Sequence, residues 1–222
     1  MKITRKRLKK KPATIVSPQL IEVRKNYART VRGIPGHYLL FLYETGFNLH
    51  TTNNYGYSPV NIDAYRLFPA NRQRNVSLMA IISTNGVLHH KCLVGSYNAE
   101  SFVEFLDEFF TKFNNGEYNN HTIIMDNVKF HHSQITKNYL NQKNSRYQFL
   151  PAYSPALNPI EEVFSTLKAR YCSVPGRVTN QNQIISRVDQ VIEKMNEELQ
   201  FSNYYQHMRV FSDQAFSGIA FI

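Results

Sequence analysis

Leu150-Pro151-Ala152-Tyr153-Ser154-Pro155-Ala156-Leu157-Asn158-Pro159-Ile160-Glu161-Glu162 is the stretch whose reading decides the fold. Asn158 is a favourable helix cap and Pro159 a favourable first helical residue, so a helix opens here with Glu161 at its third position. Upstream, Thr122-Ile123-Ile124-Met125-Asp126-Asn127 runs three apolar residues into an acid. Thirty-four residues, 127–160, separate the two acids.

Taken alone, each acid has two readings. Asp126 can stand at the carboxyl end of a parallel strand, where open α/β sheets place ligand sites. Equally, Asp126-Asn127 can simply turn the chain into a loop. Glu161 can face that acid, or it can reach back to the Asn158 amide as the far half of a capping box. Two facing carboxylates would suit Mg²⁺, a hard ion that prefers oxygen and keeps several waters.

Between and around these segments the apolar pattern alternates between strand and helix periods. Tyr38-Leu39-Leu40-Phe41-Leu42-Tyr43, bounded by Gly36 and Gly46, has the continuous apolar run of a central strand buried on both faces. Residues 48–74 are a polar excursion rich in Asn, Tyr and Arg. Residues 76–83 and 87–94 read as two strands, and the Asn85-Gly86 pair between them signals a hairpin. Residues 98–113 switch to helical period, with a Phe stripe from Phe102 to Phe113 as its core face. A short strand at 121–125, a helix at 133–142, a strand at 147–150 and helices at 158–171 and 181–199 complete the order. Three antiparallel strands followed by two parallel ones, flanked by helices, make a mixed-sheet α/β architecture of the ribonuclease H-like order. His89 and His90, adjacent in a strand, point to opposite faces and form no metal pair.

Charge divides the 222-residue chain into two parts. Residues 1–32 carry eleven Lys or Arg against one acid, Glu22, a balance of +10, whereas residues 33–222 carry fifteen of each sign. Lys2, Arg5, Lys6, Arg7, Lys9, Lys10 and Lys11 form the densest part. Such a leader suits contact with nucleic-acid phosphates, a nuclear import signal or a solvated tail. Residues 18–31 read as a helix closed by Gly33, Pro35 and Gly36. The expected division is a basic leader and linker helix at 1–36 and a compact domain at 37–222. No apolar run reaches the length of a membrane span, and Cys92 and Cys172 read as reduced thiols.

The segments around Asp126 and Glu161 resemble those of mariner-like transposases and their bacterial insertion-sequence relatives. In that family a strand ends in Asp-Asn, and a Leu-Pro-x-Tyr-Ser-Pro-x-Leu-Asn-Pro-Ile-Glu segment leads into a helix. Residues 42–50, Leu-Tyr-Glu-Thr-Gly-Phe-Asn-Leu-His, resemble the family's first catalytic strand, and the likeness spans roughly residues 18–215. The resemblance implies a DNA transposase fold for strand cleavage, transfer and integration. Three acids would hold two divalent ions, Mg²⁺ or Mn²⁺, about 4 Å apart. Asp126 and Glu161 match the second and third acids and are the expected catalytic and metal-binding residues. The first acid would precede the Glu of Glu44-Thr45-Gly46-Phe47, and there the chain has Tyr43. A phenol of reference pKa about 10 is a poor Mg²⁺ ligand. Glu44 points to the other face of the strand and Asp63 lies in the excursion, so neither replaces it.

The resemblance therefore implies weak or absent metal binding and a DNA-binding protein of impaired activity, with an active enzyme relying on Asp126 and Glu161 as the alternative. Family members usually carry helix-turn-helix modules ahead of this domain. The few residues here that look like the tail of one imply reduced recognition of specific DNA ends. DNA contacts are expected from the seven leader cations and from His131, which lies near the site or on DNA. Self-association or association with related transposases, and a nuclear location in a eukaryote or a cytoplasmic one otherwise, complete the expectations.

Overall fold

A computed structural model describes residues 12–220 apart from 53–56, 66–73, 115, 117 and 119. The seven cations between Lys2 and Lys11 lie outside the described residues. Three strands open the sheet: β1 (Leu39–Phe47), β2 (Val76–Ser83) and β3 (Gly86–Val94). Two shorter ones, β4 (Thr122–Met125) and β5 (Arg146–Phe149), follow. Their spatial order is β3-β2-β1-β4-β5. β1 pairs antiparallel with β2, and β2 with β3. β1 and β4, and β4 and β5, are parallel. This is the ribonuclease H-like mixed sheet read from the apolar pattern.

Helices cover both faces. They are α1 (Pro18–Arg32), α2 (Ala99–Lys112), α3 (Gln134–Gln142), α4 (Pro159–Ser173), α5 (Gln181–Glu198) and α6 (Ser202–Phe216). Strand side chains alternate between faces, so the apolar residues sort into two cores. Leu39, Phe41, Leu78, Ala80 and Ile124 pack with α1, α4, α5 and α6. Leu40, Leu42, Met79, Ile81 and Met125 pack with the α2 Phe stripe and Leu140 of α3. α2 begins on a full capping box, in which the Asn98 side chain accepts from the Ser101 amide and Ser101 Oγ accepts from the Asn98 amide.

Three details differ from the sequence reading. The hairpin turns on Thr84-Asn85, and Gly86 is the first residue of β3, at φ +144°. A Cβ there would sit 2.7 Å from Asn196 Oδ1, which accepts from the Val87 amide at 2.8 Å, so glycine serves close approach as well as the turn. α1 lies ahead of the boundary expected after residue 36, and its Tyr27, Ala28 and Val31 are buried in the same core as β1. Finally, α6 is an element that the apolar period does not predict, although Tyr205, Met208, Ser212 and Ala215 mark a buried face. It braces the fold. Tyr205 Oη donates to the carbonyls of Leu39 and Ile82 at 3.1 and 3.0 Å, and Arg209 donates to those of Val31 and Ile34.

Candidate active site

Strand register brings position 43 beside position 126. Leu42 pairs with Met125 in the parallel ladder, so Tyr43 and Asp126 come next on their two chains. Tyr43 continues the face of Leu39 and Phe41, which is the face α4 covers. Its ring stacks on Phe164 of α4, centroids 6.3 Å apart. Glu161 sits one turn before Phe164, on the first turn of that helix. Tyr43, Asp126 and Glu161 therefore line one cavity of about 380 Å³ at the carboxyl edge of the sheet. Glu44 points to the opposite face, towards the surroundings of Tyr97.

The Tyr43 hydroxyl faces the Glu161 carboxylate in this cavity. Burial raises the Tyr43 phenol far above its ordinary range, and the charges of Glu161 and Asp126 raise it further, so it is a donor at any working pH. Burial also raises the Glu161 carboxyl; the Tyr43 hydroxyl and the Lys168 charge oppose that rise, and Asp126 adds to it. Lys168 lies two helical turns beyond Glu161, a spacing that sequence inspection could have flagged.

Glu161 does not act as half of a capping box. Asn158 is the N-cap of α4 and Pro159 its first residue, as the sequence predicts, but the Asn158 side chain makes no capping bond and its buried Oδ1 has no partner. The Glu161 side chain faces Tyr43 instead of turning back along its own helix.

Asp126 combines both of its sequence readings. It ends β4, and its Oδ1 lies 3.4 Å from the Val128 amide, the start of a turn. The same oxygen lies 2.9 Å from His131 Nδ1. His131 is 1% exposed and packed between Phe102 and Phe130, with ring centroids 4.4 and 4.5 Å away. Its Nδ1 also bonds the Asp126 carbonyl at 3.2 Å, which makes His131 a buried neighbour of Asp126. Its exposed neighbour His132 bonds Asn127 Oδ1 at 3.0 Å and stacks on Phe149 at 4.0 Å. Asn127 in turn donates to the Leu150 carbonyl, tying the ends of β4 and β5 together.

Tyr153 is 57% exposed at the cavity rim. His89 and His90 diverge as expected, to Glu108 on α2 at 3.5 Å and to Asp189 on α5 at 3.0 Å. No disulfide joins Cys92 and Cys172.

Among the described residues no cluster of three or more His, Cys, Asp or Glu is placed to hold a metal ion. The donor set at the cavity is two carboxylates and a protonated phenol. Two carboxylates fit one hard ion completed by water and a phosphate. They do not fit the pair of ions that a third bridging acid would support.

The sequence profile of the DDE superfamily endonucleases matches residues 38–185, and the chain belongs to that family. Its fold is that of solved structures of the Mos1 transposase. The mariner Mos1 paired-end complex with Mg superposes with a TM-score of 0.77 at 14% identity, over 100% of this chain and 68% of that one. The Mos1 paired-end complex with the left transposon end gives 0.72 at 15%, over 99% of this chain and 66% of that one. The isolated catalytic domain of Mos1 mariner transposase gives 0.67 at 14%, over 92% and 96%. The chain thus spans about two thirds of the Mos1 chain found in the complexes and nearly all of its catalytic domain. No match emerges among curated protein sequences. Among the described residues no helix is long and apolar enough to cross a membrane.

Proposed function

We propose that this protein is a transposase-derived DNA-binding protein whose strand-cleavage chemistry is impaired at the first acid. The place of Tyr43 beside Asp126 and Glu161 carries the reading: an uncharged phenol stands where an anionic ligand would stand, facing the third acid. Asp126 and Glu161 are the residues that would hold a divalent ion, Mg²⁺ or Mn²⁺. That ion, when bound, would supply charge stabilisation at phosphorus. Family membership and the likeness to Mos1 complexes with a transposon end, with Mg and with Mn support DNA and a divalent ion as the ligands. Contact with DNA falls to the basic leader, whose charge positions a duplex without specifying its sequence. The division into that leader and a catalytic domain, association of copies on DNA, and a nuclear location in a eukaryotic source belong to the same proposal.

The convergence of Asp126 and Glu161 on one cavity favours a second reading, an active metal-dependent nuclease or transposase working with two acids. Nicking of supercoiled plasmid in Mg²⁺ or Mn²⁺ separates the two. The impaired protein leaves plasmid intact. Nicking that disappears in Asp126→Ala establishes the second reading. Tyr43→Asp restores the missing ligand, and calorimetric Mn²⁺ affinity should rise at least as much as the roughly 10- to 100-fold that an outer-shell partner is worth. Unchanged affinity would overturn the assignment of position 43 to the metal site.

A further inference from the structure

Arg24 is buried in α1, 2% exposed, and it reaches the loop that leads to Glu161. Its Nε donates to Ser154 Oγ at 2.9 Å, Nη2 to the Tyr153 carbonyl at 2.7 Å and Nη1 to the Ile15 carbonyl at 2.9 Å. Ser154 Oγ donates onward to the Ala152 carbonyl at 3.0 Å. This grip holds a backbone that an aromatic residue seldom adopts: Tyr153 has φ +52°. Pro151 and Ser154 are buried while Tyr153 between them stands exposed, and its ring joins neither core. Packing therefore gives no reason for the strained residue to be aromatic.

The ring stands at the rim of the cavity that Asp126 and Glu161 line. The acids of that cavity would face a phosphate through a divalent ion. Leu150, Pro151 and Pro155 add apolar surface to the same lining. Acids and apolar surface together, with an exposed ring at the rim, match a nucleotide whose base has left the stack.

We propose that Tyr153 is a stacking platform for one unpaired nucleobase of bound DNA, and that Arg24 is the positioning residue that holds it over the acid pair. The proposal rests on the DNA-binding reading above and names the part of the ligand taken by this side of the cavity. Stacking on a ring accepts any base, so the contact adds affinity for unpaired strands and little sequence preference.

The test uses a DNA duplex with a single-stranded overhang carrying 2-aminopurine at each overhang position in turn, bound by the full chain in Ca²⁺. Anisotropy of a dye on the far end reads affinity, and 2-aminopurine emission reads stacking. The wild type should quench one overhang position. Tyr153→Phe should keep the quench. Tyr153→Ala should lose it and weaken overhang DNA by about 5- to 150-fold, leaving blunt duplex unaffected. Arg24→Lys keeps the charge and loses the planar fork, so the quench should fall although the ring remains. A Tyr153→Ala protein that binds and quenches like the wild type overturns the platform. A folded Arg24→Lys protein with full quench overturns the positioning role; if that variant does not fold, the Tyr153 pair still decides. A wild type that binds neither DNA refutes the DNA-binding reading itself, whereas binding without any quench refutes the platform alone.

Discussion

The Tyr43 hydroxyl, on the central strand, and the Glu161 carboxylate, on the first turn of a helix 118 residues later, face each other in one cavity. The phenol lowers the Glu161 carboxyl while burial raises it more. Tyr43→Phe removes only the hydroxyl and should move Glu161 titration to higher pH, as read by carboxyl ¹³C NMR. A shift to lower pH would show that the phenol does not favour the ionised Glu161.

The same residue should leave a signature in stability against pH. Glu161 titrates higher in the folded chain than the ordinary 4.5. The stability its protonated form contributes is complete below the unfolded value and is lost as pH rises through the folded one. Glu161→Gln keeps an acceptor for Tyr43 and cannot ionise. It should match the wild type in Tm below pH 4 and exceed it at pH 7. Because Glu161 is partly exposed, the gain is modest, about 2–4 °C for each kcal/mol in a domain of this size. A neutral-pH Tm below that of the wild type would contradict the linkage.

His131 supports Asp126 from inside the fold. His131→Phe preserves the packing against Phe102 and Phe130 and removes the Nδ1 that bonds the Asp126 carbonyl at 3.2 Å and lies 2.9 Å from its carboxylate. Loss of that hydrogen bond should cost about 0.5–1.5 kcal/mol in urea unfolding. DNA affinity and its salt dependence should stay as in the wild type. A flatter salt slope would return His131 to the phosphate contacts.

Tyr205 is the pin between α6 and the sheet. Tyr205→Phe leaves the buried carbonyls of Leu39 and Ile82 without their donor and should destabilise by about 1–3 kcal/mol. Amide exchange at the ends of β1 and β2 should speed up more than exchange in α3. Uniform acceleration would mean that α6 does not brace the sheet edge.

Deleting residues 1–11 removes seven cations. For every DNA phosphate that thereby regains its counterion, the plot of log affinity against log salt should flatten by about 0.9. A slope unchanged by the deletion would take the leader out of DNA binding.

The fold is legible in the sequence because it is written in local periods. Leu39 to Leu42 has no polar interruption, so β1 has to be central. The Phe stripe of α2 repeats at helical spacing, and Asn158-Pro159 marks a helix start. α6 escapes because its buried face mixes Tyr205, Met208, Ser212 and Ala215, whose polar members disguise the stripe. α1 reads as a linker because charge dominates its outer face, while its inner face needs only Tyr27, Ala28 and Val31 to join the core.

By itself the sequence determined the mixed sheet, the two acids at the ends of a strand and of a loop, and the phenol in place of a first acid, since residue identity and period settle these locally. Only the tertiary structure decided what the side chains do. Parallel register set Tyr43 beside Asp126 and turned Glu161 away from its own helix cap. Burial withdrew His131 from solvent and bound it to Asp126. Arg24, more than a hundred residues away in the chain, reached the loop that lifts Tyr153 over the cavity. Such pairings depend on which faces meet when helices close on a sheet, and sequence distance carries no record of that.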